Sequence, residues 1–218
     1  MKPAGLVIFD IDGTLFQAGL VTAPAIRKSL ESVGVVPPSV ESIAAWYGKP
    51  VEPYHAWLAS LCPSEVAARV IADADRYELE FIATEGRLYP GALDALAELR
   101  AQGYLLATSS NAPDDYFDAV MDSQGLRACF ELPLCRGTRF ADKTAIVGEI
   151  LTRLQARPVV VVGDRADDVE SAHAHGAFAL ASCYGFGSRE ELCEADAFAD
   201  DLRDVPAAVD RLVSSRVR

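Results

Sequence analysis

No apolar run in this 218-residue chain approaches the roughly 18 residues that a bilayer crossing needs. The first such stretch, Leu6 to Phe9, is closed by Asp10 before the apolar core of a signal peptide is reached. A cytoplasmic protein with no membrane partner is therefore expected. Cysteine is scarce and scattered: Cys62, Cys129, Cys135, Cys183 and Cys193 are odd in number and form no CxxC pair. That pattern argues against both a zinc site and a disulfide scaffold, and leaves reduced packing residues. Positive charge is also short, with 20 Lys and Arg against 32 Asp and Glu and a net charge of −12. An acidic surface repels phosphate backbones, so nucleic acid is not an expected partner. No repeat or low-complexity tract is visible.

What the chain does contain is a globular composition, 50% hydrophobic and 24% charged, in a length that suits one domain with an insertion or two small ones. Aliphatic runs at Leu6 to Phe9, Tyr104 to Thr108, Val159 to Val162 and Ala177 to Ala181 have strand length, with a weaker candidate at Glu131 to Cys135. Runs that are apolar throughout belong to strands covered on both faces, as in a parallel sheet. Helical spacing lies between them: Leu93, Leu96 and Leu99 after Pro90-Gly91, and Ile146, Val147, Ile150, Leu151 and Leu154 after Lys143. Gly103 and Gly176 stand where helix ends favour a left-handed residue. The expected fold class is α/β, a doubly wound, Rossmann-like parallel sheet.

About seventy residues after the first strand contain helical patterns and no convincing strand. Residues 16–87 are expected to form an inserted all-helical cap on a core made of 1–15 and 88–218. Thr22 with Pro24 is expected to open its first helix, Ser39 to cap a second and Ser64 a long third running through Tyr77 and Phe81.

The chemistry-bearing residues sit where strands end. Asp10-Ile11-Asp12-Gly13-Thr14 follows the first strand, and alternation aims its two carboxylates to one side. Alone, that pair is a weak signal. It is joined by Thr108-Ser109-Ser110-Asn111 after the second run, by Lys143 at a helix start where an acid would be the more natural dipole partner, and by Gly163-Asp164 with Asp167-Asp168 after the fourth. Clustered like charges need a cation.

In order and type these residues resemble the four motifs of the haloacid dehalogenase superfamily, DxDGT, Ser/Thr, Lys and GDxxxD, over about Leu6 to Gly187. Leu88 to Gly91 and Tyr184 to Glu191 look further like its phosphoglycolate phosphatase branch, and the insertion resembles that family's C1 cap. The resemblance implies a phosphatase for a small phosphate monoester, phosphoglycolate being the first guess, in which Asp10 forms an aspartyl phosphate. Mg²⁺ is the implied cofactor, held by the Asp10 carboxylate, the Asp12 carbonyl, Asp164, and Asp168 directly or through water. Lys143 and Ser110 are the other implied catalytic groups, with Thr108 and Ser109 as alternatives to Ser110. Gly13, Thr14 and Asn111 are implied to hold phosphoryl oxygens.

Asp10, Asp12, Asp164 and Asp168 total −4, whereas Mg²⁺ and Lys143 return +3, so one acid should bind a proton easily. Asp12, spared from the metal, is the implied proton carrier. Lys49, in the Trp46 to Pro50 loop, is a candidate for a substrate carboxylate or second phosphate, or equally a solvated surface lysine. His55 is read as a partly buried helical residue, and His173 with His175 as part of the helix after Asp168. A phosphosugar mutase uses the same groups, and a signalling receiver domain has a similar acid, hydroxyl and lysine order. The helical insertion and the late GDxxxD count against the receiver. A small phosphorylated metabolite is the expected partner of a monomer or homodimer.

Overall fold

The computed structural model describes residues 3–215. Six strands, β1 (Gly5–Phe9), β2 (Tyr104–Ser110), β3 (Leu132–Cys135), β4 (Val159–Gly163), β5 (Phe178–Ser182) and β6 (Ala197–Ala199), pair in parallel in the spatial order β3-β2-β1-β4-β5-β6. From β1 the chain winds outward one way through β2 and β3, then the other way through β4 to β6. The crevice where this winding reverses lies beyond the carboxyl ends of β1, β2 and β4.

The continuous apolar runs are explained by two separate cores. Val7 and Phe9 of β1, with Val160 and Val162 of β4, enter a cluster on one face of the sheet. Leu6 and Ile8, with Val159 and Val161, enter a second cluster on the other. Both side-chain sets are buried, so period-two alternation of polarity is absent from the sequence. The covering helices on the carboxyl side are α5 (Ala92–Ala101), α6 (Asp114–Ser123), α7 (Lys143–Leu154), α8 (Ala166–Ala174) and α9 (Val205–Ser215). Each fully buried Leu, Ile or Val contributes about 2 kcal/mol, and such residues offset the cost of the ionisable groups buried at the strand ends.

Between β1 and α5 come α1 (Gly19–Glu31), α2 (Val40–Ala44), α3 (Val51–Ser60) and α4 (Ser64–Thr84). They bury a third cluster that includes Ile26, Leu30, Ile43, Leu58, Val70 and Ala74. The two crossings into this insertion run side by side. Phe16 pairs with Leu88 in an antiparallel bridge, Gln17 N donates to Arg87 O at 3.0 Å, and Tyr89 N donates to Leu15 O at 2.8 Å.

Several boundaries differ from the sequence expectation. The first insertion helix starts at Gly19, so Thr22 and Pro24 lie inside it; Pro24 is accommodated within the second turn. Ser39 caps α2 as expected, accepting from Ser42 N at 3.3 Å. Pro63, not Ser64, holds the N-cap position of α4. Glu131 stays outside β3, and its carboxylate accepts from Leu106 N at 2.7 Å. The Ala177 to Ala181 strand is displaced by one residue, to Phe178–Ser182. β6 is an unforeseen edge strand, three residues long and too short to show periodicity. All five cysteines are free. Among the described residues, no helix is long and apolar enough to cross a membrane.

Candidate active site

Strand ends deliver the acids to one place. Asp10 follows the last residue of β1, Asp164 follows β4, and Asp168 sits in the first turn of α8, with relative exposures of 1%, 0% and 2%. Each offers a carboxylate oxygen within 4.8 Å of the others. Lys143 opens α7, whose N-cap Asp142 accepts from Ala145 N at 2.8 Å. Its buried ammonium lies 3.0 Å from Asp10 Oδ2, 2.8 Å from Asp168 Oδ1 and 3.5 Å from Asp167 Oδ1.

Burial pushes the Asp10 carboxyl up to about 7, against the pull of Lys143 and with a further push from Asp164. Burial likewise lifts Asp164 to about 7, with Asp168 adding repulsion, and raises Asp168 well above the carboxylate range. Burial alone would lower Lys143, but Asp10 and Asp168 outweigh it and hold the ammonium protonated. One lysine therefore faces more negative charge than it can neutralise.

A divalent cation fits this arrangement. Asp10 Oδ2 is buried, and the one group beside it is the Lys143 ammonium, which it shares with Asp168. By contrast, Asp164 accepts from Thr14 Oγ1 at 3.3 Å and from Phe186 N at 2.7 Å, while Asp168 accepts from Lys143 and, at 3.1 Å, from Arg165 N. Hard carboxylate oxygens are the donor set for Mg²⁺.

Glycines let the backbone close around Asp164. Gly13 has φ +83°, and a Cβ there would stand 2.2 Å from Asp164 Oδ2. A Cβ at Gly185 would stand 2.4 Å from Asp164 Cβ. The Tyr184 to Gly187 segment is thus a collar for this acid, tied down by Tyr184 OH donating to Thr14 O at 3.1 Å.

Asp12 points elsewhere. Its Oδ1 accepts from Tyr116 OH at 2.9 Å, and burial lifts it to about 6 while that hydrogen bond opposes the rise. Tyr116, on α6, belongs to no motif, and no feature of the sequence singles it out. Of the hydroxyl candidates, Thr108 is spent on β3, donating to Leu134 O and accepting from Leu134 N, each at 2.9 Å. Ser109 is buried without a partner. Ser110, also buried, accepts from Ala112 N at 3.2 Å. Asn111 Nδ2 donates to Asp167 Oδ2 at 2.7 Å and to Gly48 O at 3.0 Å, linking the crevice to the insertion.

Asp10, Asp12 and Asn111 open into a cavity roofed by α1, α3, α4 and the Trp46 to Lys49 turn. Lys49 lies at its edge, exposed, with Nζ 5.5 Å from the Trp46 ring. Sequence reasoning missed most of the roof: Thr22, Tyr47, Tyr54, Asp75 and Glu78 line the cavity. On α1, α3 and α4, Thr22, Tyr54, Asp75 and Glu78 read as ordinary amphipathic positions, and Tyr47 as part of the loop from Trp46 to Pro50. His55 lies outside the acid cluster, with Nε2 3.0 Å from Asp75 Oδ1. His173 Nε2 meets Asp196 Oδ2 at 3.1 Å, and His175 Nε2 meets Thr144 O at 2.9 Å.

Residues 5–176 match the family model described as haloacid dehalogenase-like hydrolase. The chain is 30% identical over 218 residues to a phosphoglycolate phosphatase of Synechococcus elongatus, covering 97% of this chain and 98% of that one. It is 26% identical over 213 residues to a phosphoglycolate phosphatase of Aliivibrio fischeri, covering 91% and 93%. A solved structure of a predicted phosphoglycolate phosphatase from Haemophilus somnus shares the fold, with a TM-score of 0.85 at 22% identity, covering 94% of this chain and 97% of that one.

Proposed function

Since the chain belongs to the haloacid dehalogenase-like hydrolase family, we propose that it is a Mg²⁺-dependent phosphatase that hydrolyses a small phosphate monoester through an aspartyl phosphate on Asp10. The observation that carries this reading is the buried cluster of Asp10, Asp164 and Asp168 around a single lysine, Lys143, with Asp10 lining a cavity. The phosphoglycolate phosphatase names of the relatives keep phosphoglycolate among the candidate esters.

Asp10, Asp164 and Asp168, with the Asp12 main-chain carbonyl, would hold the cation, which would offset the repulsion between a carboxylate nucleophile and an anionic phosphoryl group. Lys143 orients Asp10 and takes up charge on the transferring group. Asp12, near the operating pH and aimed by Tyr116, gives a proton to the leaving oxygen and later takes one from water. Gly13, Thr14, Ser110 and Asn111 surround the phosphoryl position, and residues 16–87 close over it as a cap.

The test is release of inorganic phosphate from a panel of small monoesters with and without Mg²⁺. Glucose 1-phosphate is included with isomer detection, so that a mutase would show itself. Mg²⁺-dependent release is expected, and Asp10→Asn is expected to abolish it. Near-normal turnover in Asp10→Asn, or release in full without a divalent cation, overturns the reading.

A further inference from the structure

The roof of the cavity carries a second chemistry that the phosphoryl site does not use. Glu78 of α4 is 8% exposed, and the carboxylates it feels are those of Asp75, Asp12 and Asp115. Beside it, the hydroxyls of Tyr47 and Tyr54 are buried and have no hydrogen-bond partner, in residues only 5% and 8% exposed. Both hydroxyls feel the Glu78 charge. Buried polar atoms without partners are rare and costly, so a pair of them facing one cavity marks a place where a ligand supplies the missing group.

Resting on the phosphatase reading above, we propose that Trp46, Tyr47, Tyr54, Asp75 and Glu78 form a leaving-group subsite for a protonated amine. The ester hydrolysed is then that of a small amino alcohol rather than of a hydroxy acid. An ammonium brings three donors and no acceptor. Here it meets carboxyl oxygens on Glu78 and Asp75 and hydroxyl lone pairs on Tyr47 and Tyr54, with Trp46 beside them in the lining. Trp46 is held in place by stacking on Trp57, with ring centroids 5.2 Å apart. Asp75 is steadied by His55 at 3.0 Å.

A carboxylate in the same place adds a third acidic group beside Glu78 and Asp75 and can have no ionised Glu78 as a partner. The cation lining this side of the cavity, Lys49, is exposed at its edge, over Trp46 rather than within the acid and tyrosine group. Burial holds Glu78 up to about 8, with Asp75 adding repulsion and a Thr22 hydrogen bond opposing it. An arriving ammonium supplies the positive charge that this carboxyl lacks.

Three esters of matched size test the proposal on the Mg²⁺-loaded full chain: 2-aminoethyl phosphate, 2-hydroxyethyl phosphate and phosphoglycolate. The amine ester is expected to exceed both others in kcat/KM by about tenfold or more. Glu78→Gln is expected to bring the ratio of amine to hydroxyl ester close to one, and Asp75→Asn to lower it in the same direction. Preference for phosphoglycolate, preference for the hydroxyl ester, or a ratio unmoved by Glu78→Gln overturns the subsite while leaving the phosphatase reading intact. Release from none of the three, with or without Mg²⁺, removes both.

Discussion

Replacing Glu78 by Gln converts a pH-dependent burden on the fold into a constant one. Glu78 ionises at an ordinary value of 4.5 in the unfolded chain and at about 8 in the fold, chiefly because burial penalises its charge. Below the lower value both states are protonated and the residue costs nothing. Between the two values the unfolded chain releases a proton that the folded chain retains, so stability falls as pH rises. Above the upper value the loss is complete. Each tenfold difference in proton affinity is worth about 1.4 kcal/mol, which puts the full cost at roughly 3–5 kcal/mol. Gln fills the same space and cannot ionise. The variant should therefore match the wild type at about pH 4 and exceed it by roughly 3–5 kcal/mol at about pH 8.5. Urea unfolding in EDTA at the two pH values measures this. Asp10, Asp164 and Asp168 titrate in both proteins and cancel in the difference, whereas Asp12 and Asp75, which interact with Glu78, cancel only in part. Parallel stability curves for the two proteins would refute the burial argument.

Lys143→Met strands Asp10 and Asp168 without their cation, and should cost about 3–5 kcal/mol in EDTA. Added Mg²⁺ should restore part of this, and an unchanged unfolding midpoint would contradict it. Tyr116→Phe removes the donor to Asp12, a bond to a charged group worth about 1.5–3 kcal/mol. It should lower kcat by about tenfold or more with little change in KM, and steady-state kinetics will show whether KM moves instead. Gly185→Ala pushes a methyl group into Asp164 and should weaken Mg²⁺ binding by about tenfold or more, as read by calorimetric titration.

The sheet was legible because a strand buried on both faces leaves an unmistakable apolar run, as at Val159 to Val162. The acids and Lys143 were legible because strand termini confine them to one rim and because their order resembles a known family. Tyr116 was not, since its meeting with Asp12 joins residues 104 positions apart and a tyrosine on an amphipathic helix gives no local sign of its partner. Glu78 was hidden for a related reason. It occupies a helical position where charge is normal, and only the packing of α4 against α1 and α3 turns that charge inward. The α1 start escaped because Pro24 suggests a helix opening, whereas the chain begins its turns at Gly19.

The pairing of β1 on both sides gives the catalytic rim a particular vulnerability. Every side chain of this strand after Gly5 is committed, Val7 and Phe9 to one core and Leu6 and Ile8 to the other, and Asp10 takes its direction from the same pleat. One extra residue inserted between Gly5 and Phe9 would exchange the two sets and rotate the nucleophile away from Lys143. The reading frame of five central residues thus governs chemistry and folding together, so that evolution can vary their size and branching but not their number.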